Sequence, residues 1–284
     1  MSRALRLCLP LCLAVSACDV KVGEKGVSLN VASEQASETW QRSYTLPAKG
    51  RLELSSVGGT VLVTGTSASQ ADVTILREAT AMTKDEAAAR LAGVSITEDA
   101  TPDAVRIDIR HADGTRRGRL TLRTTIVVPR GMVLSVRNQD GRIELENVNG
   151  TITAAVANGL ITGRGVSGRL SASVVNGRLS VDLDASFDKV DLSATNGAVR
   201  IGLPADTNAD LQLETLNGTV TVEPPLNLVS EQAATTAGDG EFLSKRVTGR
   251  LKDGGPTIVA KATNGGIRVG LPGDDLERRG RRER

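Results

Sequence analysis

The chain has one histidine, His111, and three cysteines, Cys8, Cys12 and Cys18. Hydrolysis of the Ser-His-Asp or Cys-His type would have to pass through that histidine, because the base must reach the nucleophile by a hydrogen bond. His111 lies in "IRHADGTRRG", whose composition predicts a loop and an exposed turn residue. All the cysteines fall within the first 18 residues, and one imidazole without a nearby thiol is a poor start for zinc. The Asp-rich nonapeptide that holds calcium in some parallel β-rolls is absent. "VGGTVLVTG" follows a strand but opens another strand, not the helix a phosphate-binding loop needs. The expectation is a protein with no catalytic residue, no metal and no cofactor.

Charged side chains offer more. Glu144 and Glu146, with Arg142 and Arg178, project as the acids and bases of a glycan-cleaving β-helix would. Sugar sites also stack rings on aromatics, and the only aromatics here are Trp40, Tyr44, Phe187 and Phe242. A solvated sheet face is the simpler reading. Arg142, Arg178, Arg200 and Arg268 form a loose outward row, and this is the candidate binding face. Such a row suits an anionic glycan or an envelope protein as partner. A net charge of +2, with no basic patch interleaved with aromatics, gives no expectation of nucleic acid.

The cysteines point to a location. "MSRALRLCLPLCLAVSACDV" has Arg3 and Arg6, an apolar run from Leu7 to Ala17, and then Cys18. That run is too short for a spanning helix and has the form of a secretory signal, residues 1–17. "VSAC" resembles a bacterial lipobox, with Val15 where Leu is commonest. The resemblance implies acylation of Cys18 and attachment to a membrane through the N-terminal lipid. Asp19 then stands where an inner-membrane retention signal stands in enterobacterial lipoproteins. The implied location is the bacterial cell envelope, on the periplasmic face of the inner membrane rather than the outer. Residues 18–40 read as the lipidated N-terminus and a flexible tether. Residues 273–284, "GDDLERRGRRER", read as a charged, disordered tail.

What positions the charged row is a glycine clock. Gly141, Gly150, Gly159, Gly168 and Gly177 follow one another at nine-residue steps. Gly59, Gly197, Gly218 and Gly265 are slower beats of the same pattern. Two positions after most of these stand aliphatic residues, such as Ile143, Ile161, Leu179 and Ile267. Between the apolar positions stand polar ones, such as Glu144, Thr162, Ser180 and Arg268. Period-2 alternation after an Asn-Gly turn is a half-buried strand leaving a tight corner. The corner residues are Asp140-Gly141, Asn158-Gly159, Asn176-Gly177, Asn196-Gly197, Asn217-Gly218 and Asn264-Gly265. If units stack, those side chains form a column at about 4.8 Å spacing, able to make an amide ladder. An up-and-down meander would show the same parity. A solenoid is favoured, because a meander of so many strands must close or curl and the aliphatic interior is thin. The predicted fold is all-β: a single-domain β-solenoid over 41–272, built of stacked two-strand rungs with Asn-Gly corners. One short capping helix interrupts it at "TKDEAAARLAG", with Thr83 as N-cap, Glu86 completing a capping box and Gly93 as the exit. The stretch from Pro224 to Pro256 reads as loops around an inserted hairpin.

The order of these features resembles the bacterial putative-adhesin domain of unknown function. The resemblance is carried by "TIVVPRG" (Pro129-Arg130-Gly131), by the corner pairs, and by Leu203-Pro204 and Leu271-Pro272 after strands. It implies a non-catalytic, membrane-tethered envelope domain with an adhesin-like binding or scaffolding role, and it brings no catalytic residue. Adhesion itself rests there on fold analogy. Two alternatives stay open: the partner or sensor of an envelope stress regulator, and a glycan-active β-helix enzyme. Nothing in the sequence fixes the oligomeric state.

Overall fold

The computed structural model describes residues 22–23, 26–27, 33–47, 49–111, 119–230, 235–237 and 241–273. Cys18, Asp19, the signal segment and residues 274–284 of the tail lie outside them. Strand makes up 73% of the structure, with one short helix among the described residues, so no α/β layering exists. In chain order the elements are β1 (Val22–Gly23), β2 (Gly26–Val27), β3 (Glu34–Tyr44), β4 (Arg51–Thr66), β5 (Ala71–Ala81), α1 (Lys84–Ala92), β6 (Val94–Ala100), β7 (Ala104–His111), β8 (Arg119–Pro129) and β9 (Val133–Glu146). There follow β10 (Thr151–Asn196), β11 (Val199–Gly202), β12 (Ala209–Asn217), β13 (Val220–Val222), β14 (Leu228–Ser230), β15 (Thr235–Ala237), β16 (Glu241–Ser244), β17 (Arg246–Leu251), β18 (Thr257–Asn264) and β19 (Ile267–Gly270). β1 and β2 pair only with each other. All other strands belong to one large mixed sheet.

The centre of that sheet is parallel and in register. β4 lies on β9 with Gly59 opposite Gly141, and β9 lies on β10 with Gly141 opposite Gly159. Each tier is a strand, a glycine corner and a second strand. Like positions therefore stack, and the meander is excluded here because consecutive tiers run parallel. The aliphatic positions two residues past each corner, Val61, Ile143, Ile161, Leu179, Val199, Ile267 and Val220, are all at most 1% exposed. They form one continuous interior column whose burial holds the tiers together.

The tiers do not stack in chain order. The tier of β18 and β19 sits between that of 189–202 and that of 209–222. β18 pairs parallel with both β10 and β12, and β19 with both β11 and β13. The corner column accordingly runs Asp140, Asn158, Asn176, Asn196, Asn264, Asn217. Sequential stacking would have put Asn217 next to Asn196.

Both ends of the parallel stack are closed by antiparallel strands. At one end β4 meets β7 and β8, which are covered by β6 and β5, with β3 outermost. At the other, β12 is covered by β17 and then β14, and β13 by β16 and then β15. The Pro224–Pro256 stretch is thus a set of capping strands. β3 begins at Glu34, inside the segment the sequence assigns to the tether. It is an edge strand with only alternate residues partly covered, so it carries little apolar signal. Glu38 and Arg42 on it are charges of the kind that discourage further pairing.

The helix forms where the sequence puts it. Thr83 is extended (φ −128°, ψ 156°) and its hydroxyl accepts from the Glu86 N–H at 3.2 Å. Gly93 closes the helix in a right-handed conformation, φ −72°, and its N–H donates to the Ala89 carbonyl at 3.2 Å. Ala87 and Leu91 pack with Ala79 and Ala81 of β5, which makes α1 a side cover for the capped end.

Candidate functional site

The outward residues one, three and five positions beyond each corner share one face of the stack. Alternation sends these side chains away from the interior, and the parallel register lines them up from tier to tier. On this face lies a shallow groove of about 270 Å³ lined by Arg142, Arg164, Arg178 and Arg200 together with Glu144 and Asp182. Arg142, Leu160 and Arg178 are successive members of one column, so the backbone positions of the two arginines stand two tiers, about 10 Å, apart.

Ion pairs tune this face. Arg142 donates to Glu144 Oε1 at 3.1 Å, and Arg164 lies 3.6 Å from Glu146 Oε1. The side chains of these two arginines remain half or more exposed, at 52% and 64%. Glu144 and Glu146, the acids a glycan-active enzyme would need, are each met by a neighbouring arginine.

Two arginines of the predicted row, Arg200 and Arg268, behave differently. Arg200 is buried at 7% exposure, a correction to its expected outward role. It donates to Asp182 Oδ1 at 2.6 Å and to the Leu271 carbonyl at 2.7 Å. Its parity is indeed outward, but Gly202 two residues on leaves a hollow. A Cβ there would stand 2.0 Å from Asp182 Oδ1, so the missing side chain is what lets the pair sink in. Arg268, opposite Arg200 in register, donates to the buried Glu223 at 2.6 Å and does not line the groove. Arg164 was missed in the sequence, although its place five residues after Gly159 gives it the same outward parity.

No family model matches this chain, and no curated protein matches it. It is similar in structure to bacterial putative adhesins and cell-adhesion proteins. A putative cell adhesion protein from Clostridium sporogenes is 12% identical, with a TM-score of 0.45, over 84% of this chain and 100% of that one. A putative adhesin from Bacteroides fragilis is 9% identical, with a TM-score of 0.30, over 82% of this chain and 97% of that one. A third, from Parabacteroides merdae, is 10% identical with a TM-score of 0.31, over 82% and 96%.

The corner column is the other ordered polar array. Asn217 Nδ2 donates to Asn264 Oδ1 at 2.9 Å, Asn264 to Asn196 at 2.7 Å, and Asn196 to Asn176 at 2.8 Å. Asn176 donates to Asn158 at 2.9 Å, and Asn158 to Asp140 Oδ1 at 2.8 Å. Every donor points toward Asp140, and a carboxylate there can only accept. The glycines beside these residues keep φ between +128° and +156° at Gly141, Gly159, Gly177, Gly197 and Gly265. Gly218, on the last parallel tier, does not.

His111 is the last residue of β7, half-buried opposite Val94, and not an exposed loop residue as its neighbours in sequence suggested. Among the described residues no group of three His, Cys, Asp or Glu side chains is placed to hold a metal. No helix among them is long and apolar enough to cross a membrane.

Proposed function

We propose that this protein is a non-catalytic, lipid-anchored component of the bacterial cell envelope whose stacked domain is a β-solenoid presenting an adhesin-like binding surface for anionic polymers. The observation that carries the reading is the groove: Arg142, Arg164 and Arg178 lie exposed on one rigid face, at positions fixed by the tier spacing rather than by loops. Regular spacing along a stack suits a repetitive ligand better than a compact one, and exposed guanidinium groups suit carboxylate or sulfate. The "VSAC" motif ending at Cys18 supports the anchor, and Asp19 supports the periplasmic face of the inner membrane. The paired Glu144 and Glu146 favour binding over glycan cleavage.

The binding test is retention on immobilised dextran sulfate against uncharged dextran, over a salt series. Retention falls as salt rises. Substituting Arg142, Arg164 and Arg178 with Ser abolishes it while leaving Tm within a few degrees of the parent. Retention indifferent to both salt and the triple substitution sinks the reading. The anchor is tested separately: Cys18→Ser ends incorporation of labelled fatty acid, and a parent that never incorporates label is no lipoprotein.

A further inference from the structure

The corner column contains chemistry that its architectural role does not use. Asn158, Asn176, Asn196, Asn264 and Asn217 each precede a glycine. In such a pair no side chain shields the following backbone nitrogen, which can close on the asparagine amide carbon. Whether it does depends on how the backbone is held. The Gly197 N–H donates to the Asn264 carbonyl at 2.8 Å, and the Gly265 N–H to the Asn217 carbonyl at 3.0 Å. Gly159 and Gly177 lie inside β10, and Gly159 pairs in parallel register with Gly141. Where the backbone bond is seen, glycine nitrogen is engaged by the next tier toward Asn217. The last parallel tier has no next one. Among the described residues the Gly218 N–H meets no acceptor, and Gly218 lacks the positive φ of the other four.

We propose that Asn217 is a self-modification site, at which the corner column deamidates from its open end. The Gly218 nitrogen loses its proton and bonds to Asn217 Cγ; the Cγ–Nδ2 bond breaks and ammonia leaves. Water then opens the five-membered ring at either carbonyl, leaving aspartate or isoaspartate. No oxidant, metal or second protein takes part.

The effect on the column follows from its donors. Six side chains leave five gaps, and five Nδ2–H groups bridge them, all in one direction. A carboxylate at position 217 would join the one at Asp140. Only Asn158, Asn176, Asn196 and Asn264 would then donate, and each directs one hydrogen along the stack. One gap is left with two acceptors facing each other, wherever the reversal falls. The modification therefore breaks a ladder that runs from Asp140 to Asn217, starting from its last member.

The full chain is incubated folded in mildly alkaline buffer, and conversion at each of the five asparagines is read by peptide mass spectrometry. Asn217 converts more than about tenfold faster than the other four, whose backbone must open first. Equal rates at all five overturn the proposal. Its consequence is read with Asn217→Asp, which lowers Tm by about 2–4 °C, and with Asp140→Asn, which changes Tm little. The double variant again has a donor for every gap, now running the other way, and recovers Tm toward the parent. A double variant no more stable than Asn217→Asp alone overturns the donor count.

Discussion

The two corners of each tier solve the same problem by different means. At the Asn-Gly corner, backbone meets backbone. A Cβ on Gly177 would lie 1.7 Å from the Gly159 carbonyl oxygen, and Gly177 already holds φ at +143°. At the opposite corner a Cβ on Gly168 would still lie 2.5 Å from the Gly150 carbonyl oxygen, but the next tier has Ala185, Ser186 and Phe187 there instead, and apolar side chains fill the turn: Val148, Val166 and Phe187 are each no more than 3% exposed. The spacing along the chain varies accordingly. Asn158 to Asp140 and Asn176 to Asn158 span 18 residues, while Asn196 to Asn176 spans 20. The added length falls around Ala185 and Ser186, beside Phe187, and the column of amides is undisturbed. A repeat of this kind keeps register at the corner that cannot move and absorbs change at the corner that can.

The sharpest way to break that contrast is Gly177→Val. It adds φ strain of about 1–3 kcal/mol to a clash with backbone that cannot rotate away. Denaturant unfolding should show a loss above about 4 kcal/mol, among the largest for a single substitution. Phe187→Ala at the yielding corner leaves a cavity and costs about 3 kcal/mol. A Gly177→Val variant no weaker than Phe187→Ala would remove the distinction. Arg200→Ala tests the filled hollow near that same side. It strands Asp182, and the loss is about 2 kcal/mol, below that of a fully buried pair because Asp182 keeps 20% of its side-chain surface. Arg142→Ala, on the open groove, costs about 0.5 kcal/mol or less. Equal melting shifts for these two arginines would mean that Arg200 is not anchored as described. The smallest expected effect is a Ser-Gly insertion after Ala185. Lengthening a corner already of the longer kind costs a few tenths of a kcal/mol by closure entropy, about (3/2)RT ln of the length ratio. The same insertion after Asn176 should prevent cooperative unfolding altogether.

Much of this was legible beforehand, and the reasons separate cleanly. The corner column could be read because each Asn-Gly pair is followed by the same alternation, and the parallel register then brings like residues together. The helix could be read because Thr83 and Glu86 act within a single turn. Tier order could not. The strand after Asn264 and that after Asn217 present the same pattern of apolar and polar faces, so nothing local says which lies next to Asn196. Arg200 was assigned to the surface by a parity rule that its position obeys. What parity omits is the empty space above Gly202 and the Leu271 carbonyl, brought in from 71 residues away. The first part of β3, residues 34–40, was read as tether because an edge strand covered on one side only needs few apolar residues, and its pairing with β5 depends on backbone groups that no side chain announces. Arg164 was overlooked for a simpler reason: it falls at the end of its strand, where alternation gives least support.

The position of β18 and β19 makes them a keystone. A growing polypeptide that has emerged only as far as residue 256 contains every other tier of the stack, yet two of those tiers lack the neighbour that joins them. The tier of 189–202 ends in open backbone donors and acceptors, and the tier of 209–222 holds only its antiparallel cover. The two parts cannot be bridged until β18 and β19 are in place, and until then an unpaired strand edge is offered to whatever meets it. A chain cut short before β18 would therefore betray itself to proteases by the gap it cannot close.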